Sequence, residues 1–155
     1  MEKTQPTPDL PDCGQGNCNQ MEGQIPGQNL GNATLYQKRA RISREIKSMI
    51  DIHRSPSPSS LWRYAGLDPS HPIGFNHRLK ALVLGELATI LMHDPDYFSL
   101  YRRYRRRVHH RPGLTTTHLH KMSIRYMVKQ YLKDLHIEWR KSLHLPVPKK
   151  YDSNI

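Results

Sequence analysis

Residues 115–143 read TTTHLHKMSIRYMVKQYLKDLHIEWRKSL, and the spacing of the apolar positions in this stretch decides the fold. Ile124, Met127, Val128, Tyr131, Leu135 and Trp139 recur at steps of three and four, the period of one face of an α-helix. Thr115, Thr116 and Thr117 offer hydroxyls to cap its start, and Pro146 ends it because proline cannot continue the hydrogen-bond ladder. An apolar stripe of this length has to be buried against other elements. The rest of the chain supplies them as helices.

Upstream, Pro112-Gly113 separates the long helix from one opened by Asp94 as cap and Pro95 in the first turn. The apolar face of that helix is Tyr97, Tyr101, Tyr104 and Val108. Asn76 caps the helix before it, with Leu79, Leu82, Val83, Leu87, Ile90 and Leu91 as its stripe. Ser59-Ser60 cap a short helix over Leu61–Ala65, which Gly66 stops before the loop Asp68-Pro69-Ser70-His71-Pro72. From Thr34, Leu35, Ile42, Ile46, Met49 and Ile50 predict a helix ending near Ile52, broken by Ser55-Pro56-Ser57-Pro58. No segment alternates convincingly with the period of a strand. The expected fold is an all-α bundle of about four to five helices with a long C-terminal helix.

Residues 1–33 are rich in Gly, Pro, Gln and Asn, too polar to offset the entropy of ordering, and predict a disordered arm. The helical domain is then expected over 34–145 and a tail over 146–155. Cys13 and Cys18 lie in the arm as a single C-x4-C pair, half a metal site, and are read as ordinary thiols. No apolar run approaches the roughly twenty residues needed to cross a bilayer. The start, Met1 to Pro6, lacks the apolar core of a signal peptide. The expectation is a cytoplasmic protein without a membrane partner, nucleoid-associated if bound to DNA.

The 155 residues carry a net charge of +11 and a pI near 9.9. Sixteen Lys and Arg face five acids between Asn76 and Lys150, so the excess lies in the second half. Its centre is Tyr101–Arg111, which holds Arg102, Arg103, Arg105, Arg106, Arg107 and Arg111 without an acid. A second basic stripe, Lys121, Arg125, Lys129 and Lys133, repeats every four residues along the last helix. Guanidinium groups stay charged at any biological pH and repel one another, and an external polyanion relieves that. These ten residues are the expected nucleic-acid contacts, with DNA, or structured RNA, as partner.

The aromatic residues read differently. Tyr97, Tyr101 and Tyr104 offer faces to bases, but their spacing favours core for two of the three. Trp62 and Trp139 are expected core anchors. His109, His110, His118 and His120 are expected surface contacts, since His118 and His120 diverge around the helix and make poor co-ligands.

Three segments, in order, carry a family resemblance. Ile50-Asp51-Ile52-His53 with Leu61-Trp62-Arg63-Tyr64-Ala65-Gly66-Leu67-Asp68-Pro69-Ser70 resembles the opening of the C-terminal transposase domain of the insertion-sequence 110/116/902 family. Asn76-His77-Arg78-Leu79-Lys80 looks like that family's next helix start. Arg125-Tyr126-Met127-Val128-Lys129, with Leu132, Asp134-Leu135 and Trp139-Arg140, is similar to the terminal helix of one branch.

The resemblance implies DNA transposition by a recombinase, in some members guided by a structured RNA and usually as a multimer. It attributes catalysis to an N-terminal RuvC-like domain with an Asp-Glu-Asp-Asp metal site, acting with a C-terminal serine. Residues 1–49 supply no such carboxylate cluster, so no cofactor is expected in this chain and divalent metal only in that other domain. Ser70 is the nearest candidate for the serine, with Asp68 and His71 beside it. The chain is expected to be a truncated or remodelled C-terminal half, catalytically incomplete alone. The alternatives are a stand-alone basic helical module for RNA or DNA, and a protein-interaction domain.

Overall fold

A computed structural model of the chain describes residues 28–71 and 73–148. The helices are α1 (Gln28–Ser48), α2 (Pro58–Tyr64), α3 (His77–Leu82), α4 (Ala88–Met92), α5 (Pro95–Val108) and α6 (Thr116–Ser142). A π-helical stretch, Val83–Leu87, joins α3 to α4 as one continuous rod, so the bundle has five rods. Among the described residues there is no strand. The all-α bundle with its long last helix is the architecture that the apolar periodicity predicts.

The caps are largely the expected ones. Asn76 Oδ1 accepts from the Leu79 N–H, Asp94 Oδ1 from Asp96 and Tyr97, and Thr115 Oγ1 from His118. The start of α2 differs from expectation. Ser57 caps it, accepting from the Ser60 N–H, and Pro58 is the first helical residue. Proline fits there because the first-turn N–H groups have no partner within the helix. Pro58 therefore opens a helix, where the Ser-Pro pattern alone predicts part of a break.

The ends of α1 also shift. It begins at Gln28, ahead of Thr34, and stops at Ser48 rather than near Ile52. The expected boundary at residue 33 falls inside this helix. The remainder of the expected arm, with Cys13 and Cys18, and the tail beyond Pro148 lie outside the described residues. Ile50 and Ile52 stay buried although they follow the helix.

The core forms around α6. Met127, Val128, Tyr131, Leu132 and Leu135 are buried there against Ile42 and Ile46 of α1, Leu61 of α2, and Leu79, Leu87 and Leu91 of the α3–α4 rod. Burying each such aliphatic side chain contributes roughly 1.5–3 kcal/mol, and this packing, more than helix propensity, holds the rods. Trp62 and Trp139 are half-buried and pack on the edge of this cluster.

The end of α6 is fastened by polar groups. The Arg140 side chain, 5% exposed, donates to the carbonyls of Ile52 (3.0 Å), Ser55 (3.2 Å) and Pro146 (2.8 Å). His136, fully buried, places Nε2 2.8 Å from the Ser55 carbonyl, so that nitrogen carries the proton. These bonds pin the turn between α1 and α2 to the last helix.

Candidate nucleic-acid interface

The α5 helix turns Tyr101 and Val108 into the core, which leaves the arginines on the opposite arc. Its partner is α6, and one contact joins their basic surfaces. The rings of Tyr104 and Tyr126 stack with centroids 4.4 Å apart and planes 17° apart. The Arg107 guanidinium lies over both, 5.2 Å from Tyr104 and 5.6 Å from Tyr126. Arg103 is one turn before Arg107, and Arg125 is the chain neighbour of Tyr126.

Arg102, Arg103, Arg106, Arg107, Arg111, Lys121 and Arg125 are exposed, and Arg105 is half-buried with Nη1 donating to the Tyr101 hydroxyl at 3.3 Å. Among the described residues none of the six arginines pairs with a carboxylate. Three of the five acids in this half are engaged elsewhere: Asp94 with Arg39, Glu86 with Arg41 at 2.8 Å, and Asp134 with Lys133 at 3.6 Å. The arginines of α5 are thus without an ion-pair partner among the described residues.

The ten expected contacts do not form one row. Arg102, Arg105 and Arg106 surround a pocket with Phe98 and Tyr101, whereas Arg107 belongs to the Tyr104–Tyr126 side. The α6 stripe also turns as it descends. A step of four residues overshoots a full turn by about 40°, so the three steps from Lys121 to Lys133 rotate by about 120°. Lys121 and Arg125 are open to solvent, and the later two cations are half-buried. Lys129 lies 5.4 Å over the Trp62 ring and its carbonyl accepts from Trp62 Nε1 at 3.0 Å. Lys129 therefore also serves the packing, which four-residue spacing alone does not reveal.

The tyrosines divide much as expected. Tyr101 is buried. Tyr97 is half-buried, meets Tyr131 edge-on at 5.3 Å and donates to Asp134 at 3.2 Å. Burial, reinforced by the Asp134 charge, pushes its phenol far above the ordinary value. Tyr104 is the one that stacks, and its partner is Tyr126.

The histidines do not converge. His120 Nδ1 is 2.8 Å from the Tyr101 hydroxyl, and the His109 and His110 rings meet edge-on at 5.9 Å. Among the described residues no group of three or more His, Cys, Asp or Glu is placed to hold a metal ion. The histidine with the most unusual surroundings is His136, which sequence reasoning passed over. Its Nδ1 is buried without a partner, and burial, with Arg140 nearby, lowers its pKa.

Ser70 lies in an exposed turn. Its N–H donates to Asp68 Oδ1 at 3.0 Å, while His71 Nδ1 lies 3.2 Å from Asp68 Oδ2. The Asp68 carboxyl is held below its usual value, first by the Ser70 N–H and further by His71 and the Ser70 hydroxyl. Asp68 thus accepts from the backbone of its own turn, with His71 beside it.

Tyr64-Ala65-Gly66-Leu67 takes a local role in stopping α2. Gly66 sits at φ +64°, its N–H donates to the Arg63 carbonyl, and the Leu67 N–H reaches back to Trp62. That is a Schellman stop, with Ala65 and Leu67 buried on either side. Comparison of the chain with protein-family models, with curated proteins and with solved structures finds no match.

Proposed function

We propose that this chain is the nucleic-acid-binding C-terminal portion of a transposase-like recombinase acting in DNA transposition, and that it does not cut DNA by itself. The observation that carries the binding part is the Arg107 bridge across Tyr104 and Tyr126. It sets Arg107 of α5 against α6, one turn from Arg103 and beside Arg125, with no carboxylate on these arginines among the described residues. Such a surface recognises phosphate through charge-assisted contacts, bidentate where a guanidinium meets two oxygens. The recombinase part rests on the three segments that resemble the insertion-sequence family.

A binding titration against duplex DNA and structured RNA at several salt concentrations tests this. If six phosphates are neutralised, log K falls against log salt with a slope of about −5, from about 0.9 per phosphate. No binding to either polyanion at low salt would sink the proposal. Added divalent metal is expected to leave bound DNA intact, and cleavage lost on Ser70→Ala would overturn the non-cutting part.

A further inference from the structure

Arg102, Arg105 and Arg106 line, with Phe98, Tyr101 and His109, a pocket of about 370 Å³ on the side of α5 away from the Tyr104–Tyr126 stack. From this we infer that the pocket takes one unpaired nucleotide, its base on Phe98 and its phosphate on the arginines. The inference rests on the proposed nucleic-acid binding and adds a second, single-stranded mode to it.

Three features of the pocket converge on this ligand. Its floor is aromatic: the Phe98 and Tyr101 rings lie nearly parallel, 9° apart in plane and 5.8 Å between centroids. Tyr101 is 4% exposed, so Phe98 offers the accessible face. A phosphate group alone would need no such floor.

The rim is cationic. Arg105 is held in place by its 3.3 Å bond to the Tyr101 hydroxyl, which is itself 2.8 Å from His120 Nδ1. Arg106 extends freely into solvent. A peptide with an aromatic side chain would fill the floor and leave these charges unanswered.

The spacing also fits. The Arg102 guanidinium already lies over Phe98, 6.0 Å from the ring centroid. A base sandwiched between them needs two van der Waals contacts of roughly 3.5 Å each, so an outward movement of about 1 Å by this exposed side chain admits it. Stacking on an aromatic ring and under a guanidinium is sequence-tolerant, because every base has a π-face. The pocket distinguishes an unpaired nucleotide from a stacked one and does not depend on which base it is.

The test compares the full chain on a blunt DNA duplex with the same duplex bearing one 2-aminopurine nucleotide as a 3′ overhang, prepared with a DNA or an RNA overhang. The overhang is expected to bind more tightly than the blunt end and its fluorescence to be quenched. Whichever overhang is quenched identifies the sugar accepted. Phe98→Leu, which keeps an apolar filler in the core, lowers overhang affinity roughly 5- to 100-fold, the range that base–aromatic stacking supports. It leaves the blunt duplex unaffected, and Phe98→Tyr restores both the affinity and the quenching. Equal binding of blunt and overhanging duplexes, with fluorescence unchanged and Phe98→Leu silent, overturns the pocket while the duplex-binding proposal stands. Failure of every probe to bind at low salt overturns both.

Discussion

The Tyr104 ring on α5 stacks on the Tyr126 ring on α6, 4.4 Å between centroids, and Arg107 covers the pair. An aromatic pair contributes about 0.5–1.5 kcal/mol beyond its buried area, and an exposed cation over a ring about 0.5–1 kcal/mol. The contact therefore both helps to hold the two helices together and fixes where one guanidinium stands. Through it Arg107 of α5 stands against α6, beside Arg125.

Tyr126→Leu is expected to reduce stability by about 1–2.5 kcal/mol, the sum of these two terms. Because it also removes one of the two rings under Arg107, affinity for duplex DNA should fall in parallel. Urea denaturation and a binding titration on the same variant check this. Reduced stability with unchanged affinity would show that the stack is structural only.

Arg103, Arg107 and Arg125 changed together to Gln should weaken binding across all sequences and leave helical content unaltered. The salt slope should become shallower by about 2.7, from three lost phosphate contacts at about 0.9 each. Circular dichroism and the salt titration read the two halves of this prediction. Lys129 is unsuited to such a test because its side chain covers Trp62.

His136 predicts an acid limb in the stability curve. Its buried imidazole is neutral, and its pKa lies below the 6.5 of an unfolded chain. Below pH 6.5 the unfolded state binds a proton that the folded state resists, so stability present above 6.5 is lost as pH falls toward the folded-state value. His136→Gln keeps a donor for the Ser55 carbonyl and removes the titration. Melting temperature across this window should fall less steeply in that variant than in the parent chain, and equal slopes would refute the assignment.

Gly66→Ala should destabilise the domain by about 1–2 kcal/mol, the cost of a left-handed backbone for a residue with a Cβ. The φ of +64° is compounded by crowding, since a Cβ there would meet the Phe75 ring at 2.8 Å. Thermal denaturation reads it. An unchanged melting point would mean that the turn after α2 rearranges freely.

Helix positions were legible wherever an apolar stripe and a capping residue agreed, as at Asn76, Asp94 and Thr115. At Pro58 the local pattern misleads, because a first-turn proline and a chain break look alike in one dimension. The Ala-Gly-Leu segment was read as a family signature, and in the fold it is also a helix stop with a physical need for its glycine. The candidate site was legible in its composition and less so in its arrangement.

Sequence alone determined the helical class, the long last helix and the surplus of arginine, because these follow from periodicity, capping and charge within a few residues of one another. Tertiary structure alone decided which arginines share a face, that Lys129 leans on Trp62, and that His136 and Arg140 hold the turn at Ser55. The reason is geometric. Where a cation stands depends on how two helices are rotated against each other, and that rotation is set by side chains far apart in the chain, here Tyr104 and Tyr126.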